Sequence, residues 1–224
     1  MSRDIQFEAP DLRTFIRCLR RLGRKVGPRS GTNRRAKVDK ELFCFRRYAA
    51  TLAAHSQWTF PCTVSVGESP DFMIAFGDIL HGLEVTEATT ETFQRGLTQS
   101  EASDEECQLI EDDGWIGEAP ERDWSEAVVR AIEAKVGLIP SYRRALCHDI
   151  LVVSSHPADD MRHINGKDSG HVQLHALVEQ RAPCWMARAK HLGTISVIDG
   201  SVLVFDLVNR REQWPIHDLR PVRS

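Results

Sequence analysis

The sequence predicts an α/β fold in which helices pack on a mixed central sheet. The period of the apolar residues changes along the chain from the helical value of 3.6 to the strand value of 2 and back again. The resulting order of elements is helix, three-stranded meander, helix, strand, helix and hairpin, which is typical of layered α/β domains. The chain has 224 residues, of which 42% are hydrophobic, so it can bury a core. We therefore expect residues 1–224 to form a single domain.

Two helices are predicted in the N-terminal quarter. Residues 23–33 between them contain three Gly and one Pro and predict a flexible loop. The second helix is predicted over 39–54, with Asp39 as its N-cap. The first helix is predicted over 11–22 because its apolar residues follow the i, i+3, i+4, i+7 spacing: Leu12, Phe15, Ile16, Leu19 and Leu22.

The next segment predicts a three-stranded meander over 62–87. Alternating residues at 63–66, the apolar run at 72–76 and the residues from 79 to 86 are separated by turn signals containing Gly67 and Gly77. Residues 88–123 are polar and acidic without a clear period, which predicts an irregular insertion.

Helix, strand and hairpin signals follow in the C-terminal half. Asp123 and Glu126 have the spacing of a capping box and predict a helix over 124–136, which we expect to resume at 142–146 after a break. The apolar run at 150–153 predicts a central strand. A further helix is predicted at 172–178. Strands at 194–198 and 202–208 are joined by Asp199-Gly200, a hairpin signal.

The net charge of -3 hides two segments of opposite sign. Residues 13–47 contain thirteen basic residues and two acids, whereas residues 101–123 contain ten acids and one base. Basic residues at this density can neutralise several phosphates, which predicts binding of nucleic acid. The alternative is that both segments are solvated surfaces that attract one another. The residues expected to bind nucleic acid are Arg20, Arg21, Arg24, Lys25, Arg29, Arg34, Arg35 and Lys37.

Several classes of protein are excluded by what the sequence lacks. There is no run of about 18 apolar residues for a membrane helix, and residues 1–10 have no apolar core of the kind found in secretory signals. The six cysteines form no Cys-x-x-Cys pair. No glycine-rich nucleotide-binding loop is present. We expect a cytoplasmic protein without a membrane partner.

Two acids stand out because each lies next to apolar residues of a predicted strand. Asp71 precedes the second strand of the meander, and Glu84 lies on the third. If these strands pair, the two carboxylates face each other and form an oxygen site suited to Mg²⁺ or Mn²⁺. A charged group in such a strand is unfavourable unless it is paired or bound to metal. The alternative is a turn aspartate and an edge-strand glutamate.

The segments Pro70-Asp71 and Glu84-Val85-Thr86 resemble the active-site signature of the PD-(D/E)xK nuclease superfamily. In that superfamily a helix precedes a meander that carries the acids, and a helix and a further strand follow. The resemblance covers residues 38–155 and implies a three-layer restriction-endonuclease-like domain. Residues 1–37 would be a basic N-terminal helix and loop, and residues 156–224 a C-terminal helix and β-hairpin.

The resemblance implies divalent-metal-dependent phosphodiester hydrolysis, with DNA as the expected substrate and Asp71 and Glu84 as the metal ligands. The sequence departs from the signature at Thr86, where the superfamily usually has a lysine. Lys135, beside the apolar stripe of the following helix, is the expected substitute. The alternative for Lys135 is a side chain that extends from the stripe to solvent.

Three further residues are considered for the same site. Gln94 is a weaker polar substitute for the lysine. Glu41 matches a position where the superfamily often has an additional acid, although glutamate is also favoured in the first turn of any helix. Thr86 itself is the third.

Other functions remain open from the sequence alone. Thr86 favours a nuclease-like module with a decayed site that binds nucleic acid or a protein partner. A third alternative is an assembly component in which the basic segment docks on the acidic one, in the same chain or in a homodimer. His171 and His175 are four residues apart on a predicted helix, but without a third ligand we expect them to be surface histidines rather than a metal site.

Overall fold

The computed structural model describes residues 5–26, 37–88, 120–142, 147–154, 169–217 and 219. These residues form one eight-stranded mixed sheet and four α-helices, which confirms the α/β class. The strands are β1 (Gln6–Ala9), β2 (Cys62–Val66), β3 (Phe72–Phe76), β4 (Ile79–Ala88), β5 (Cys147–Ser154), β6 (Leu192–Asp199), β7 (Val202–Phe205) and β8 (Glu212–Pro215). The helices are α1 (Leu12–Val26), α2 (Lys37–Ala54), α3 (Pro120–Leu138) and α4 (Ser169–Arg188).

The eight strands lie in the sheet in chain order. Strands β1 to β4 are antiparallel, β4, β5 and β6 are parallel, and β6 to β8 are again antiparallel. Parallel neighbours require a crossover connection. Helix α3 lies in the connection between β4 and β5, and helix α4 lies in that between β5 and β6.

Two apolar cores cover the two faces of the sheet. Helices α1 and α2 pack on one face, where they bury Leu83 and Leu151. Helices α3 and α4 pack on the other face, where they bury Ile150 and Val152. Leu151 and Val152 are both fully buried, because β5 is covered on both sides as its continuous apolar run predicts. The layers are therefore helix, sheet and helix.

The predicted meander and hairpin are confirmed. Strands β2, β3 and β4 are consecutive antiparallel neighbours. Strands β6 and β7 pair with Asp199 opposite Val202, and Gly200 in the turn between them has a positive φ of 53°. Glycine adopts that conformation without steric strain.

The boundary predicted at Gly23 is wrong, because α1 continues through this residue to Val26. A Cβ atom at position 23 would overlap the guanidinium of Arg46. The glycine therefore allows α1 to lie close to α2 rather than ending the helix. The remainder of the predicted loop lies outside the described residues.

The predicted start of α3 is also wrong. The helix begins at Pro120, so Asp123 lies in its first turn and is not the N-cap. Proline is favoured at the first helical position, where its missing N–H is not needed. Both ends of the segment predicted as an irregular insertion, 88–123, belong to regular elements, because Ala88 lies in β4 and residues 120–123 lie in α3. Residues 89–119 lie outside the described part of the chain. At the other end of α3, Tyr142 is extended rather than helical, after a 3₁₀ turn at Ile139–Ser141.

Two strands are not predicted by the sequence pattern, and two elements have other bounds. Short β1 pairs with β2, and β8 pairs with β7, so the C-terminal part contains three strands rather than a hairpin alone. Strand β7 ends at Phe205 because Asp206 has a positive φ of 47°, which is outside the β region. Helix α4 extends to Arg188, since its buried stripe continues through Ala182 and Trp185.

None of the described helices combines the length and the apolar character that crossing a membrane requires.

Candidate functional site

The pairing of β3 with β4 brings Asp71 and Glu84 together. Phe72 lies opposite Leu83 in the register, so the next positions outward are Asp71 and Glu84. The Val85 N–H donates a hydrogen bond of 2.8 Å to Asp71 Oδ2. The two acids are 3% and 2% exposed, which places two carboxylates in the interior at one point of the sheet.

Helix α3 adds a cation to this pair of acids. The apolar stripe of α3, which contains Ile132 and Val136, packs on the sheet. Lys135 lies beside this stripe. Its Nζ atom is 2.5 Å from Glu84 Oε2 and 3.9 Å from Asp71 Oδ2. The Lys135 side chain is only 17% exposed, so it points toward the acids and not into solvent.

Tyr142 also contacts Glu84, and nothing in the sequence points to it. Its hydroxyl donates a hydrogen bond of 2.7 Å to Glu84 Oε1. Burial raises the pKa of Tyr142, and the hydrogen bond to Glu84 raises it further, so the hydroxyl remains a donor at neutral pH. The sequence predicts a resumed helix at this residue, whereas Tyr142 is extended after the 3₁₀ turn. Both carboxylate oxygens of Glu84 are thus held by side chains.

Helix α2 contributes an acid and a base from its first two turns. Glu41 is 8% exposed, and its Oε1 atom lies 3.2 Å from Lys37 Nζ. Lys37 Nζ is also 3.9 Å from Asp71 Oδ1. Lys37, expected to bind nucleic acid, therefore faces the acids, although its side chain is 78% exposed.

Burial is the largest cause of the pKa shifts of Asp71 and Glu41. It raises the pKa of Asp71, and the neighbouring charge of Glu84 adds to this, while the Val85 N–H acts in the opposite direction. Burial and the charge of Asp71 likewise raise the pKa of Glu41. Among the described residues, the ammonium groups within 4.0 Å of the carboxylates of Glu41, Asp71 and Glu84 are those of Lys37 and Lys135. These five groups together carry a net negative charge when all are ionised, which favours a cation beside the acids.

A pocket of about 340 Å³ opens beside the acids between α2, β4 and α3. Thr86, at the position of the usual lysine, is half-buried in its wall and cannot supply a charge. The other proposed substitute, Gln94, lies outside the described residues. The pocket is lined by Lys37, Lys40, Glu41, Cys44, Val85, Thr86, Glu87 and Lys135.

The donor set of Asp71 and Glu84 fits a hard divalent cation. Their carboxylate oxygens are the ligands that Mg²⁺ and Mn²⁺ prefer, and the Lys135 ammonium between them shows that a positive charge is accommodated there. Among the described acids of this site, no set of three donor atoms lies within 4.8 Å of one another. Among the described residues, Asp71 and Glu84 would therefore supply the protein ligands, and water or phosphate oxygens would have to complete the shell.

The exposed side of α1 carries arginines, while Phe15 and Leu19 are buried on its other side. Arg20 and Arg21 are both exposed. Arg24 and Lys25 belong to the same helix, but their side chains are outside the described part of the chain. Three of the predicted contacts lie wholly outside it: Arg29, Arg34 and Arg35.

The expectation that His171 is a surface histidine is wrong. The residue is 1% exposed, and its Nε2 atom is 3.1 Å from Asp199 Oδ2, so it is paired in the interior between α4 and the end of β6. The His171 ring also stacks on Trp124 of α3. His171 therefore belongs to the packing of this layer.

Comparisons of the chain with protein-family models, with curated proteins and with solved structures find no match.

Proposed function

We propose that this chain is a divalent-metal-dependent nuclease of the restriction-endonuclease-like fold that hydrolyses phosphodiester bonds in DNA. The observation that carries the proposal is the convergence of Asp71, Glu84 and Lys135, which lie just before β3, on β4 and on α3. Asp71 and Glu84 are the acids that the resemblance to the PD-(D/E)xK superfamily selects, and Lys135 is the expected substitute for its lysine.

The order of elements around the acids supports the same proposal. Helix α2 precedes the meander β2–β3–β4, which carries both acids, and α3 and β5 follow. Strand β5 lies beside β4 in the sheet, and the two helices pack on opposite faces. This is the arrangement that the superfamily resemblance implies for residues 38–155.

The residues of the site have separable roles in the proposed reaction. Asp71 and Glu84 would hold Mg²⁺ or Mn²⁺, which supplies an activated water and stabilises the charge that develops on the phosphate. The Val85 N–H and the Tyr142 hydroxyl fix the orientation of the two carboxylates. Lys135 supplies the positive group that Thr86 cannot, and its charge favours a phosphate or an attacking water near the acids.

Binding of DNA is assigned to the basic residues on the same side of the sheet as α1 and α2. The exposed arginines of α1 offer charge-assisted contacts to phosphate oxygens. Lys37 and Lys40 line the pocket beside the acids and extend this positive surface to the site.

A plasmid-nicking assay tests the proposal. The purified chain should convert supercoiled DNA to the open circular form with Mg²⁺ or Mn²⁺ and not with a chelator. Asp71→Asn should reduce the rate at least about 100-fold, because it removes the charge of one metal ligand. Glu68→Gln, an exposed acid in the turn before β3, is the matched control and should leave the rate unchanged. An inert chain whose metal binding is unchanged by Asp71→Asn contradicts the proposal.

A second candidate function is a nuclease-like module with a decayed site that binds nucleic acid or a protein. It is favoured by Thr86, which lines the pocket at the position of the superfamily's usual lysine and brings no charge to it. Calorimetric titration with Mn²⁺ separates the two functions. A nuclease site should show binding that depends on Asp71, whereas a decayed site should show none.

A further inference from the structure

A second group of side chains of the kinds that can bind metal ions lies near the amino ends of two parallel strands. His81 of β4 is paired in register with Cys147 of β5, and Asp149 follows two positions later. One donor atom from each residue lies within 4.8 Å of the other two. Alternation along β4 places His81 on the same face as Leu83, which α1 and α2 cover, whereas Glu84 is on the opposite face. This group is therefore separate from the site of Asp71 and Glu84.

The surrounding residues hold the group in place. The backbone N–H and the hydroxyl of Thr194 donate hydrogen bonds of 2.7 Å and 2.9 Å to Asp149 Oδ1. The other oxygen, Oδ2, is left to face His81 Nδ1 at 3.2 Å. A Cβ atom at Gly193 would overlap both Asp149 Oδ1 and Cys147 Sγ. Glycine at this position therefore keeps the space that the carboxylate and the thiol occupy.

We propose that His81, Cys147 and Asp149 bind a transition-metal ion of the Zn²⁺ class. An imidazole nitrogen, a thiolate and a carboxylate oxygen form a mixed set of donors that Zn²⁺ accepts and that Mg²⁺ does not favour. Two nitrogen or oxygen donors bound to a tetrahedral Zn²⁺ are roughly 3.3 Å apart. The 3.2 Å between His81 Nδ1 and Asp149 Oδ2 is close to that separation.

The chemistry of the three residues specifies the rest of the site. Three protein ligands leave a fourth position for water or another small ligand. All three side chains are half-buried, so solvent reaches this position. Thr194 then fixes the carboxylate as an outer hydrogen-bond partner does in known metal sites. Binding releases protons from the thiol and the imidazole as the metal takes their place.

Optical titration of the chelator-treated full chain with Co²⁺ tests this site, because Co²⁺ replaces Zn²⁺ and is coloured. The expected result is a cobalt–thiolate charge-transfer band together with the visible bands of a four-coordinate ion, saturating at one Co²⁺ per chain and displaced by Zn²⁺. Cys147→Ser should abolish the charge-transfer band. Cys184→Ser, an exposed cysteine on α4, is the matched control and should retain it. Absence of the band in the folded wild-type chain overturns the proposal.

Thermal unfolding with Zn²⁺ provides a readout that does not depend on the thiolate band. Zn²⁺ should raise the midpoint temperature of unfolding of the wild-type chain and of Asp71→Asn. The rise should be smaller for Asp149→Asn. Loss of an outer hydrogen-bond partner lowers metal affinity roughly 10- to 100-fold in known sites. Because Asp149 is a direct ligand, Asp149→Asn should lower the affinity for Zn²⁺ by at least that factor. Equal shifts in the wild-type chain and in Asp149→Asn would show binding elsewhere and overturn the assignment. A shift lost in Asp71→Asn but kept in Asp149→Asn would assign the metal to the other site.

Discussion

Lys135 occupies the place between two buried carboxylates where a divalent cation would also be stabilised. Its ammonium neutralises Glu84 directly and Asp71 at longer range. Removal of one partner from a buried ion pair leaves an uncompensated charge, which is more unfavourable than the pair itself was favourable. At the scale of single residues, the lysine and the metal therefore compete for the same negative charge.

Lys135→Ala is expected to destabilise the metal-free chain by about 3 kcal/mol, because Glu84 loses its charged partner. The same variant should bind Mn²⁺ about tenfold more tightly, a gain of about 1.4 kcal/mol in binding free energy. Urea unfolding with a chelator and calorimetry with Mn²⁺ measure the two effects. Lys40→Ala removes a charge from the same pocket and is the matched control. Unchanged stability and weaker Mn²⁺ binding in Lys135→Ala would contradict this view of the site.

Asp71→Asn is expected to stabilise the metal-free chain at neutral pH, by an amount on the order of 1 kcal/mol. Burial raises the pKa of Asp71 in the folded chain, so its charged form opposes folding. A carboxyl with a raised folded pKa contributes stability at low pH that is lost as the pH rises through that pKa. The advantage of the asparagine should therefore disappear as the solution is acidified.

Urea unfolding in the presence of a chelator, at neutral and at acidic pH, measures this difference. Glu68→Gln is again the control, because the exposed glutamate should show no such dependence. If Asp71→Asn proves less stable than the wild-type chain at neutral pH, the charged form of Asp71 stabilises the fold, which contradicts this prediction.

At the scale of elements, close approach at Gly82 keeps the acid pair in position. A Cβ atom at Gly82 would lie 2.7 Å from Pro70 Cγ and 2.8 Å from His148 Nδ1. Pro70 precedes Asp71, so any side chain at Gly82 displaces the backbone that carries the acid. Neither neighbouring group is the end of a flexible side chain, so relaxation is limited.

Gly82→Ala is therefore expected to destabilise the chain by about 1–3 kcal/mol, as overpacking in a core does. It should also reduce nicking activity, although it leaves every polar group of the site present. Gly77→Ala is a useful comparison, since a Cβ atom there meets nothing within 4 Å and only its positive φ opposes the change. Wild-type stability and activity in Gly82→Ala would contradict the proposed packing constraint.

The spacing of apolar residues predicts helices and strands well where burial of their faces determines the element, and poorly where the element depends on pairing with a distant segment. The apolar stripe of α1 and the run in β5 predict a helix and a central strand, because burial of one face or both faces follows from the spacing of apolar residues. Strand β1 has only four residues, and its place at the sheet edge depends on pairing with β2, which no local pattern shows.

The candidate site divides in the same way. Asp71 and Glu84 are predictable because a charge among apolar strand residues is conspicuous in a sequence. Tyr142 is not, since its contact with Glu84 joins residues 58 positions apart through the path of the chain after α3. The group of His81, Cys147 and Asp149 escapes prediction for a similar reason, because parallel pairing of β4 with β5 brings its members together.

At the scale of the whole molecule, the distribution of charge decides the expected partner. The basic segment is concentrated in α1, the following residues and the start of α2, and the described arginines of α1 are exposed. A surface of this kind neutralises phosphates and releases counterions, so DNA affinity should fall steeply with salt.

Arg17 is exposed on α1 like Arg20 and Arg21. The triple variant Arg17→Gln, Arg20→Gln and Arg21→Gln should therefore bind DNA more weakly at every sequence tested. The slope of log affinity against log salt should become shallower by about 0.9 for each phosphate that the variant no longer neutralises. Fluorescence anisotropy with labelled duplex DNA at several salt concentrations measures both quantities. Arg181→Gln, which pairs with Glu133 on the opposite layer, is the control. An unchanged slope in the triple variant would remove α1 from the proposed DNA surface.

The rate of plasmid nicking with Mn²⁺, compared across three forms of the chain, tests the central claim that Asp71, Glu84 and Lys135 act as one catalytic site. The wild-type chain should nick DNA, and Lys135→Ala should lose at least about 100-fold of the rate. Thr86 lines the same pocket as Lys135. The double variant Lys135→Ala/Thr86→Lys should therefore nick DNA at least about tenfold faster than Lys135→Ala, because a lysine on β4 replaces the positive charge lost from α3. A wild-type chain without activity, or a Lys135→Ala variant as fast as the wild type, would contradict the claim.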